Sequence, residues 1–363
     1  MSIATEITRL QTAKADIKTS LENKGATIPY STKLDEYSTI IDSLPNAVKY
    51  GMSADNILGN VNSNGEIQQP TQLFDLVLSG VEKIQIDDIF HYKFAYNSAV
   101  KSVTFPDLIY VGTAYGGQSI CADMFLYCSN IESASFPELI GTNGNFPTNN
   151  AFREMFTNCS KLKTLNMPKL KKLYQSSYSL FSICRGCSQL TSFNLDSLEQ
   201  VYSNMLETAF QNCTSLTSAS FPKLTEVIAE GFKQTFQGCT SLNSVSFPLL
   251  EYANYSRAFY NCFTSCSSLT SVSFPALAEI KNSQIFMYCF SGCTSLTSVS
   301  FPALTSQSFG SYTNQFQNML NGVSGCTVHF PSNLQSVISS WSDVTNGFSG
   351  TNTTVLFDLT ATE

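Results

Sequence analysis

The chain has 363 residues and a formal net charge of −7, and only 13% of its residues are charged. This acidic balance argues against nucleic-acid binding, which needs a clustered basic face. No apolar run approaches the roughly 20 residues of a membrane-spanning helix, and the first residues lack the basic and apolar regions of a secretory signal. We therefore expect a chain made in the cytosol, without nucleic-acid partners or membrane insertion.

Residues 1–45 predict two helices, over residues 3–22 and 32–43. Apolar residues four and three apart form the seam of the first helix: Ile3, Ile7, Leu10, Ile17 and Leu21. The second begins with a capping box at Thr32 and Asp35 and ends before Pro45. About three heptads are too short to be stable alone in water, so the pair is either a self-packing hairpin or a docking or oligomerisation segment. Residues 46–72 have the composition of a linker.

From residue 73 to residue 331 a unit of 26–31 residues repeats about eight times. A Phe-Pro-like step marks each copy, at Phe105, Phe136, Met167, Leu195, Phe221, Phe247, Phe274 and Phe301. Eight residues before each step stands Asn97 in the first copy and a cysteine in the others: Cys128, Cys159, Cys187, Cys213, Cys239, Cys266 and Cys293. Repeats of this length predict a solenoid, in which each unit buries its apolar side chains against its neighbours.

The spacing within a unit predicts one strand per copy. In the copy that ends at Phe301, Val299 and Phe301 alternate with Ser298 and Ser300, which places the apolar pair inside and the serines outside. Pro302 then ends the strand, because it has no backbone N–H for the ladder. Stacked copies would form a parallel sheet with strands about 4.8 Å apart.

The pattern Phe-x-x-Cys-x-x-Leu-x-x-Val-x-Phe-Pro resembles the BspA-type leucine-rich repeat family over residues 73–331. The resemblance implies a leucine-rich-repeat-type solenoid with a parallel β-sheet on one face, irregular or short helical returns, and a C-terminal cap over residues 332–363. The family occurs in bacterial surface proteins, adhesins and phage-associated proteins, so the resemblance implies binding more than chemistry. Fold analogy does not choose among these roles.

Both ends of the chain are similar to phage and prophage tail-associated proteins of gut bacteria. The similar stretches are Ile3–Ile7, Lys24–Pro29 and Leu34–Tyr37 at the start, and His329–Leu334 and Val355–Leu359 at the end. This similarity implies a virion tail component that residues 1–45 attach to other tail proteins or assemble into a homo-oligomer.

Irregular copies are expected to cap the solenoid. Val81, Ile84 and Ile86 imitate the strand pattern and predict a truncated first copy. After Leu304 the register loosens, Ser332–Trp341 predicts a short helix, and Thr354–Leu359 predicts a closing strand.

Most of the twelve cysteines are expected to be core residues. Seven stand at one position of the repeat, which indicates a stacked, buried column. Cys184 and Cys187 form a C-x-x-C pair, but there is no second pair and the two histidines, His91 and His329, lie far apart, so no metal site is expected. For Cys184, Cys262 and Cys289, disulfides and free buried thiols both remain open.

The sequence contains none of the usual catalytic motifs or phosphate-binding loops, so neither an enzymatic activity nor a cofactor is expected. The carboxylate pairs Asp87–Asp88 and Glu226–Glu230 are interpreted as solvated surface.

Two sets of residues are candidates for ligand binding. One is the outward hydroxyl row of the strands, which includes Ser218, Ser244, Ser271 and Ser298; the alternative is that these hydroxyls only keep the sheet soluble. The other is a set of tyrosines in the returns, whose side chains offer contact area and a hydroxyl group. They are Tyr110, Tyr115, Tyr174, Tyr178, Tyr202, Tyr252, Tyr255 and Tyr312.

The sequence thus predicts a non-enzymatic binding protein whose partner is a glycan or a protein receptor on a bacterial cell. The first hypothesis is a phage tail fibre or receptor-binding component, located in the virion after synthesis in the bacterial cytoplasm. The alternative is a bacterial adhesin or interaction scaffold of the same fold, in the cytoplasm or at the cell surface.

Overall fold

A computed structural model describes residues 60–61, 67–68, 73–80, 82–84, 91–111, 120–142, 150–171, 173, 178–306, 314–338 and 351–360. The two predicted N-terminal helices lie outside these ranges. The predicted boundaries of the N-terminal segment, linker, solenoid and cap remain predictions.

The described chain is built almost entirely from short strands and turns. In chain order the strands are β1 (Asn60–Val61), β2 (Ile67–Gln68), β3 (Phe74–Val77), β4 (Lys83–Ile84), β5 (Val100–Thr104), β6 (Tyr110–Val111), β7 (Ser133–Ser135), β8 (Gly141–Thr142), β9 (Thr164–Asn166), β10 (Ser192–Asn194), β11 (Gln200–Val201), β12 (Ser218–Ser220), β13 (Glu226–Ile228), β14 (Ser244–Ser246), β15 (Tyr252–Asn254), β16 (Ser271–Ser273), β17 (Glu279–Lys281), β18 (Ser298–Ser300), β19 (Thr327–Pro331) and β20 (Thr354–Leu359). The 3-10 turn Ser332–Leu334 leads into the short helix α1 (Gln335–Ile338).

Eleven of the described strands line one face of a parallel solenoid. They form three hydrogen-bonded groups, β3-β5-β7-β9-β10, β12-β14 and β16-β18-β19-β20. Val299 pairs with Val272 on one side and Val328 on the other, so the inward residues of successive copies stand in one column. Val299 and Phe301 are fully buried, as the alternation predicts. The predicted solenoid fold is confirmed.

A second set of strands follows each Phe-Pro turn and forms a narrower parallel sheet. Its described groups are β4-β6-β8 and β11-β13-β15-β17. Each of these strands is only two or three residues long, because the chain soon bends into the return.

The returns are more regular than the sequence suggests. In one coil the backbone N–H of Phe259 donates to the carbonyl of Ile285 in the next coil (2.8 Å), whereas that of Cys262 donates three residues back to Phe259 (3.1 Å). Successive residues alternate between these two kinds of bond along each return. This ribbon of turns therefore satisfies its backbone donors without a helix or a pleated strand.

The ribbon places about every fourth residue in the left-handed backbone region. Arg257, Asn261 and Ser265 have positive φ values of 64°, 53° and 62°, and their side chains are exposed or half-buried. The pairs between them, Ala258–Phe259 and Cys262–Phe263, are fully buried. Two buried residues thus alternate with two outward ones.

The core consists of stacked phenylalanine columns. Phe259 stacks on Phe232 (5.4 Å between centroids) and on Phe286 (5.3 Å) within the return column. It meets Phe247 and Phe274 of the strand column edge-to-face, at 5.8 and 5.6 Å. Both arrangements are favourable for aromatic rings, so the columns interlock along the solenoid.

The structure corrects the predicted register at the N-terminal end of the solenoid. The first strand of the sheet is β3, where Leu76 pairs with Val103, whereas Ile84 lies in β4 of the second sheet. Leu78 is buried and stands 105 − 78 = 27 residues before Phe105, which is an ordinary repeat length, so the expected truncation of the first copy is wrong. Val81 and Ile86 are not described.

At the C-terminal end, Val328 and Val355 continue the inward column in β19 and β20. The predicted closing strand over Thr354–Leu359 coincides with β20. The predicted helix is described as far as Ile338, and Trp341 lies outside the described residues.

The ladder of the first face lapses between β10 and β12 and between β14 and β16. At the first lapse the inward residue is Phe193, whose ring stacks on Phe210 at 4.3 Å and lies 5.6 Å from Phe221. A phenyl ring needs more room than Leu165 and Ala219, which stand at this position in the two neighbouring coils, and this accounts for the missing strand pairing. No comparable side chain marks the second lapse.

Gly231 tests how tightly the coils pack. A Cβ at this position would lie 2.8 Å from Val201 Cγ1 and 3.0 Å from Val227 Cγ1. We expect Gly231→Ala to lower the free energy of unfolding by about 1–3 kcal/mol, because stiff β-branched side chains block the added methyl group. Equilibrium unfolding in denaturant measures the change.

Gly325→Ala is the matched control. Gly325 has a φ of 73° and no heavy atom within 4 Å of the added Cβ, so it carries only the left-handed backbone penalty of about 1–2 kcal/mol. Gly231 has no left-handed backbone, so a loss at Gly325 with none at Gly231 would show that backbone strain, and not packing, governs glycine positions in this solenoid.

Candidate binding surfaces

The outward side chains of the first face form two polar rows along the solenoid. Ser218, Ser244 and Ser271 are exposed, and Ser298 is half-buried. In the second row, Ser300 Oγ donates to Ser273 Oγ at 2.8 Å. These hydroxyls present donors and acceptors to solvent, but they also bond to one another along the row.

The polar face carries an open depression of about 570 Å³ over β7, β9 and β10. Its outward lining consists of Ser133, Ser135, Thr164, Asn166, Ser192 and Asn194, with Asp196 at its rim. Asn194 Oδ1 accepts the backbone N–H of Asp196 at 3.1 Å, which orders the turn at this edge. Hydroxyl, amide and carboxylate groups thus lie together on one open concave surface, where they offer hydrogen-bond donors and acceptors to a polar partner.

The structure does not bring the predicted tyrosines together. Tyr178, Tyr252 and Tyr255 are exposed, and Tyr110 and Tyr202 are half-buried. Tyr110 lies in β6 and Tyr252 in β15, at equivalent positions five coils apart, which corresponds to about 24 Å at the usual strand spacing. Tyr115, Tyr174 and Tyr312 lie outside the described residues.

A different group of tyrosines does cluster, on the return ribbon of the first two coils. Tyr92, Tyr96 and Tyr127 are 53%, 63% and 47% exposed, and the rings of Tyr96 and Tyr127 stack at 5.1 Å with an 8° angle between planes. We call these three residues the tyrosine platform.

Each platform residue has a positive φ, of 54°, 62° and 58° respectively. Left-handed backbone costs a bulky residue about 1–2 kcal/mol, and exposed rings recover little of this cost by burial. The sequence carries a signal for the platform, because Tyr96 and Tyr127 directly precede the cysteine-ladder position. There the seven later coils have Asn158, Gly186, Asn212, Gly238, Ser265, Gly292 and Gly322.

All twelve cysteines are buried free thiols. In each ladder position the thiol donates to a backbone carbonyl of the preceding coil, for example Cys239 Sγ to Phe210 O at 3.1 Å and Cys293 Sγ to Phe263 O at 3.0 Å. Burial raises the pKa of Cys184 well above its ordinary value, and its C-x-x-C partner Cys187 is equally buried. Among the described residues, no three His, Cys, Asp or Glu side chains form a group that could hold a metal ion.

The carboxylates Glu226 and Glu230 take part in ladders between coils. Glu230 lies 2.7 Å from Lys233 and 3.4 Å from Arg257, and Lys233 also contacts Glu207 at 3.0 Å. Burial would raise the pKa of Glu230, but the hydrogen bond and charge of Lys233 outweigh it and hold the pKa below its ordinary value. Glu230 is therefore an ionised, half-buried member of a salt-bridge network and not fully solvated. Asp87 and Asp88 are not described.

The stacked parallel strands, the buried Phe and Cys columns and the polar outer rows define a repeat solenoid of the leucine-rich class. The profile of the family described as "BspA type Leucine rich repeat region" matches residues 85–207, 118–262 and 204–341. The chain belongs to this family, as its repeat pattern predicts.

Solved structures of leucine-rich repeat proteins are similar to this chain at low identity. A leucine rich cell surface protein from Faecalibacterium prausnitzii is 16% identical, with 77% of this chain and 90% of that chain covered and a TM-score of 0.31. The T. pallidum leucine rich repeat protein is 18% identical (61% and 86% covered, TM-score 0.25), and Listeria monocytogenes InlP is 13% identical (77% and 68% covered, TM-score 0.28). No curated protein matches the chain in sequence. Within the described part of the chain, no helix has both the length and the apolar character needed to cross a bilayer.

Proposed function

We propose that this protein is a non-enzymatic adhesin or interaction scaffold that binds a partner on a cell surface through the polar face of its solenoid. The observation that carries the proposal is the depression over β7, β9 and β10, where six outward hydroxyl and amide side chains line one concave surface. Long strand-lined surfaces of this kind are how solenoids usually bind their partners.

Membership of the repeat family supports a binding role without specifying the partner. The fold supplies the concave strand face on which a partner can bind. The phage-tail hypothesis has less support, because neither the matching family nor the similar solved structures reported above are described as tail proteins. It depends on residues 1–45, which lie outside the described residues, and on the short stretches at the C-terminal end. That the protein lacks an enzymatic activity stays a prediction.

Variants of two equivalent outward positions test where on the polar face the partner binds. Thr164 lies in the depression, whereas Ser244 lies in the same exposed row but three strands away. In biolayer interferometry against immobilised polysaccharides and purified bacterial surface proteins, we expect saturable binding of the full chain. Thr164→Arg should weaken it at least about tenfold, because the longer side chain would occupy the depression and obstruct the partner, which would have to desolvate the guanidinium to bind.

Ser244→Arg should change the affinity less than about twofold. Equal losses in both variants would extend the site along the whole row, and no loss in either would remove the site from this face. Mass spectrometry of the recovered ligand should show it unchanged; a chemically altered ligand would contradict the non-enzymatic assignment.

A further inference from the structure

The tyrosine platform is unusual because Tyr96 and Tyr127 stand at a position where the later coils have residues suited to left-handed backbone. The ribbon requires a left-handed residue before each ladder position, and seven later coils have Asn, Gly or Ser there. Residues in unfavourable backbone regions cluster at functional sites, where the side chain is retained for what it contacts. Tyr96 and Tyr127 are exposed as well as strained, so their role lies outside the core.

The platform is also rigid. Tyr96 stacks on Tyr127, and the backbone N–H of each residue donates to the next coil, Tyr96 to Leu126 O at 2.7 Å and Tyr127 to Thr157 O at 2.9 Å. A ring that is stacked on one side and still 63% exposed presents its other face to solvent. Tyr127 therefore supports Tyr96 from below, and Tyr96 offers a preorganised aromatic face.

Several ionisable side chains beside the platform contact one another. His91 Nε2 lies 3.4 Å from Asp123 Oδ2, and Arg153 lies 3.0 Å from Glu154. Tyr92 lies against His91, with 4.3 Å between the ring centroids. The Tyr92 phenol is protonated at neutral pH and can donate a hydrogen bond, and burial and the nearby Asp123 carboxylate raise its pKa further.

From this geometry we infer that the tyrosine platform is a second binding site and that its ligand is a neutral polysaccharide. A pyranose ring has an apolar C–H face that can lie on the open face of Tyr96, and hydroxyls around its rim that can bond to the Tyr92 phenol and the adjacent polar groups. The Arg153–Glu154 pair offsets one charge of each sign beside the platform, which favours a neutral ligand over a charged one. The inference extends the proposed function, since the platform lies on the return ribbon and not on the sheet.

Native affinity electrophoresis of the full chain tests the inference. The gels contain mannan, dextran, galactan or arabinoxylan, with polylysine as a cationic polypeptide probe. We expect retardation in at least one neutral polysaccharide, lowered at least about tenfold in apparent affinity by Tyr96→Asn. Asparagine suits left-handed backbone, so this variant should keep the wild-type melting temperature or exceed it.

The other variants separate the ring from its support. Tyr96→Phe should retain most of the affinity, and Tyr127→Asn should lose part of it because Tyr96 loses its stacking partner. Tyr288→Asn is the matched control, since Tyr288 is a half-buried return-ribbon tyrosine with a φ of 54° that lies outside the platform, and it should bind like the wild type.

Three outcomes would overturn the inference: no retardation in any neutral polysaccharide, full binding by Tyr96→Asn, or retardation by polylysine that depends on Tyr96. The Thr164→Arg variant distinguishes a failure of the platform inference from a failure of the proposed function. If Thr164→Arg loses ligand binding while Tyr96→Asn does not, the platform inference fails and the proposed function stands.

Discussion

Phe259→Ala is expected to lower the free energy of unfolding by about 3–5 kcal/mol, which is among the largest effects of a single core substitution. Phe259 is fully buried and contacts rings in four directions: Phe232 and Phe286 along its column, and Phe247 and Phe274 across it. Its removal leaves a cavity that the stiff backbone ladders on each side prevent from closing. Guanidinium unfolding followed by circular dichroism measures the loss.

Phe357→Ala is the matched control at the end of the solenoid. Phe357 is half-buried in β20 and stacks on Phe330 at 6.0 Å. We expect a loss of about 1–2 kcal/mol, because part of its surface already meets water. If both variants lost the same free energy, the stability of the solenoid would not depend on stacking between neighbouring coils, and the interlocked columns would not be its main support.

The central position of Phe259 has a further consequence. In a repeat protein each coil is stabilised by its neighbours, so a weak coil in the middle can uncouple the two halves. We therefore expect the unfolding transition of Phe259→Ala to broaden or split, whereas that of Phe357→Ala should only shift.

The strand face could be predicted from the sequence because its signal is direct. Val299 and Phe301 alternate with serines, and a period of two residues indicates a half-buried β-strand. The same rule failed at the start of the solenoid, because two stretches there show the alternation. One contains Leu76 and Leu78, and the other contains Ile84 and Ile86. The distance of 27 residues from Leu78 to Phe105 matches the other repeats and would have decided between them.

The return ribbon could not be predicted in the same way. Its period of four, with two buried and two outward residues, lies close to the 3.6 of a helix, so pairs such as Cys262–Phe263 suggest short helical turns. The informative residues are the glycines and asparagines before each ladder position, for example Gly238, which mark left-handed backbone. Against that background, Tyr96 and Tyr127 stand out as exceptions that fold alone does not explain.

The packing of the core does not determine which polar side chains line the outer face of the sheet. Any small hydroxyl would allow Ser218 and Ser244 to form the same strand pairs, so sequence pattern cannot separate a ligand site from a soluble surface. The depression over β7, β9 and β10 arises from the relative placement of three coils, which no local pattern encodes.

The buried thiols predict the second large effect. At pH 8 a thiol reagent such as 5,5′-dithiobis(2-nitrobenzoate) should label none of the twelve cysteines in the native protein and all twelve after denaturation, because every thiol is buried and free. Labelling of two or more cysteines in the native state would contradict the buried ladder. A denatured count below twelve would indicate disulfides instead.

The same thiols should make the fold sensitive to alkali. Burial raises the pKa of Cys128, Cys239 and Cys293 to about 12, whereas an unfolded thiol titrates near 8.5. Below about pH 8.5 both states keep the proton and stability does not depend on these groups. Above it the unfolded chain loses protons that the native chain retains, so each thiol lowers the free energy of unfolding by about 1.4 kcal/mol per pH unit.

Because many thiols are shifted in the same direction, the loss between pH 9 and 10 should be on the order of 10 kcal/mol, comparable with the whole stability of a domain. We expect cooperative alkaline unfolding in about this range, measured by circular dichroism as a function of pH. A Cys239→Ala, Cys293→Ala double variant should be less stable at pH 7, yet its stability should fall less steeply with pH, by about 3 kcal/mol per unit. An unchanged slope in that variant would show that tyrosine or lysine titration, and not the thiol ladder, controls the alkaline transition.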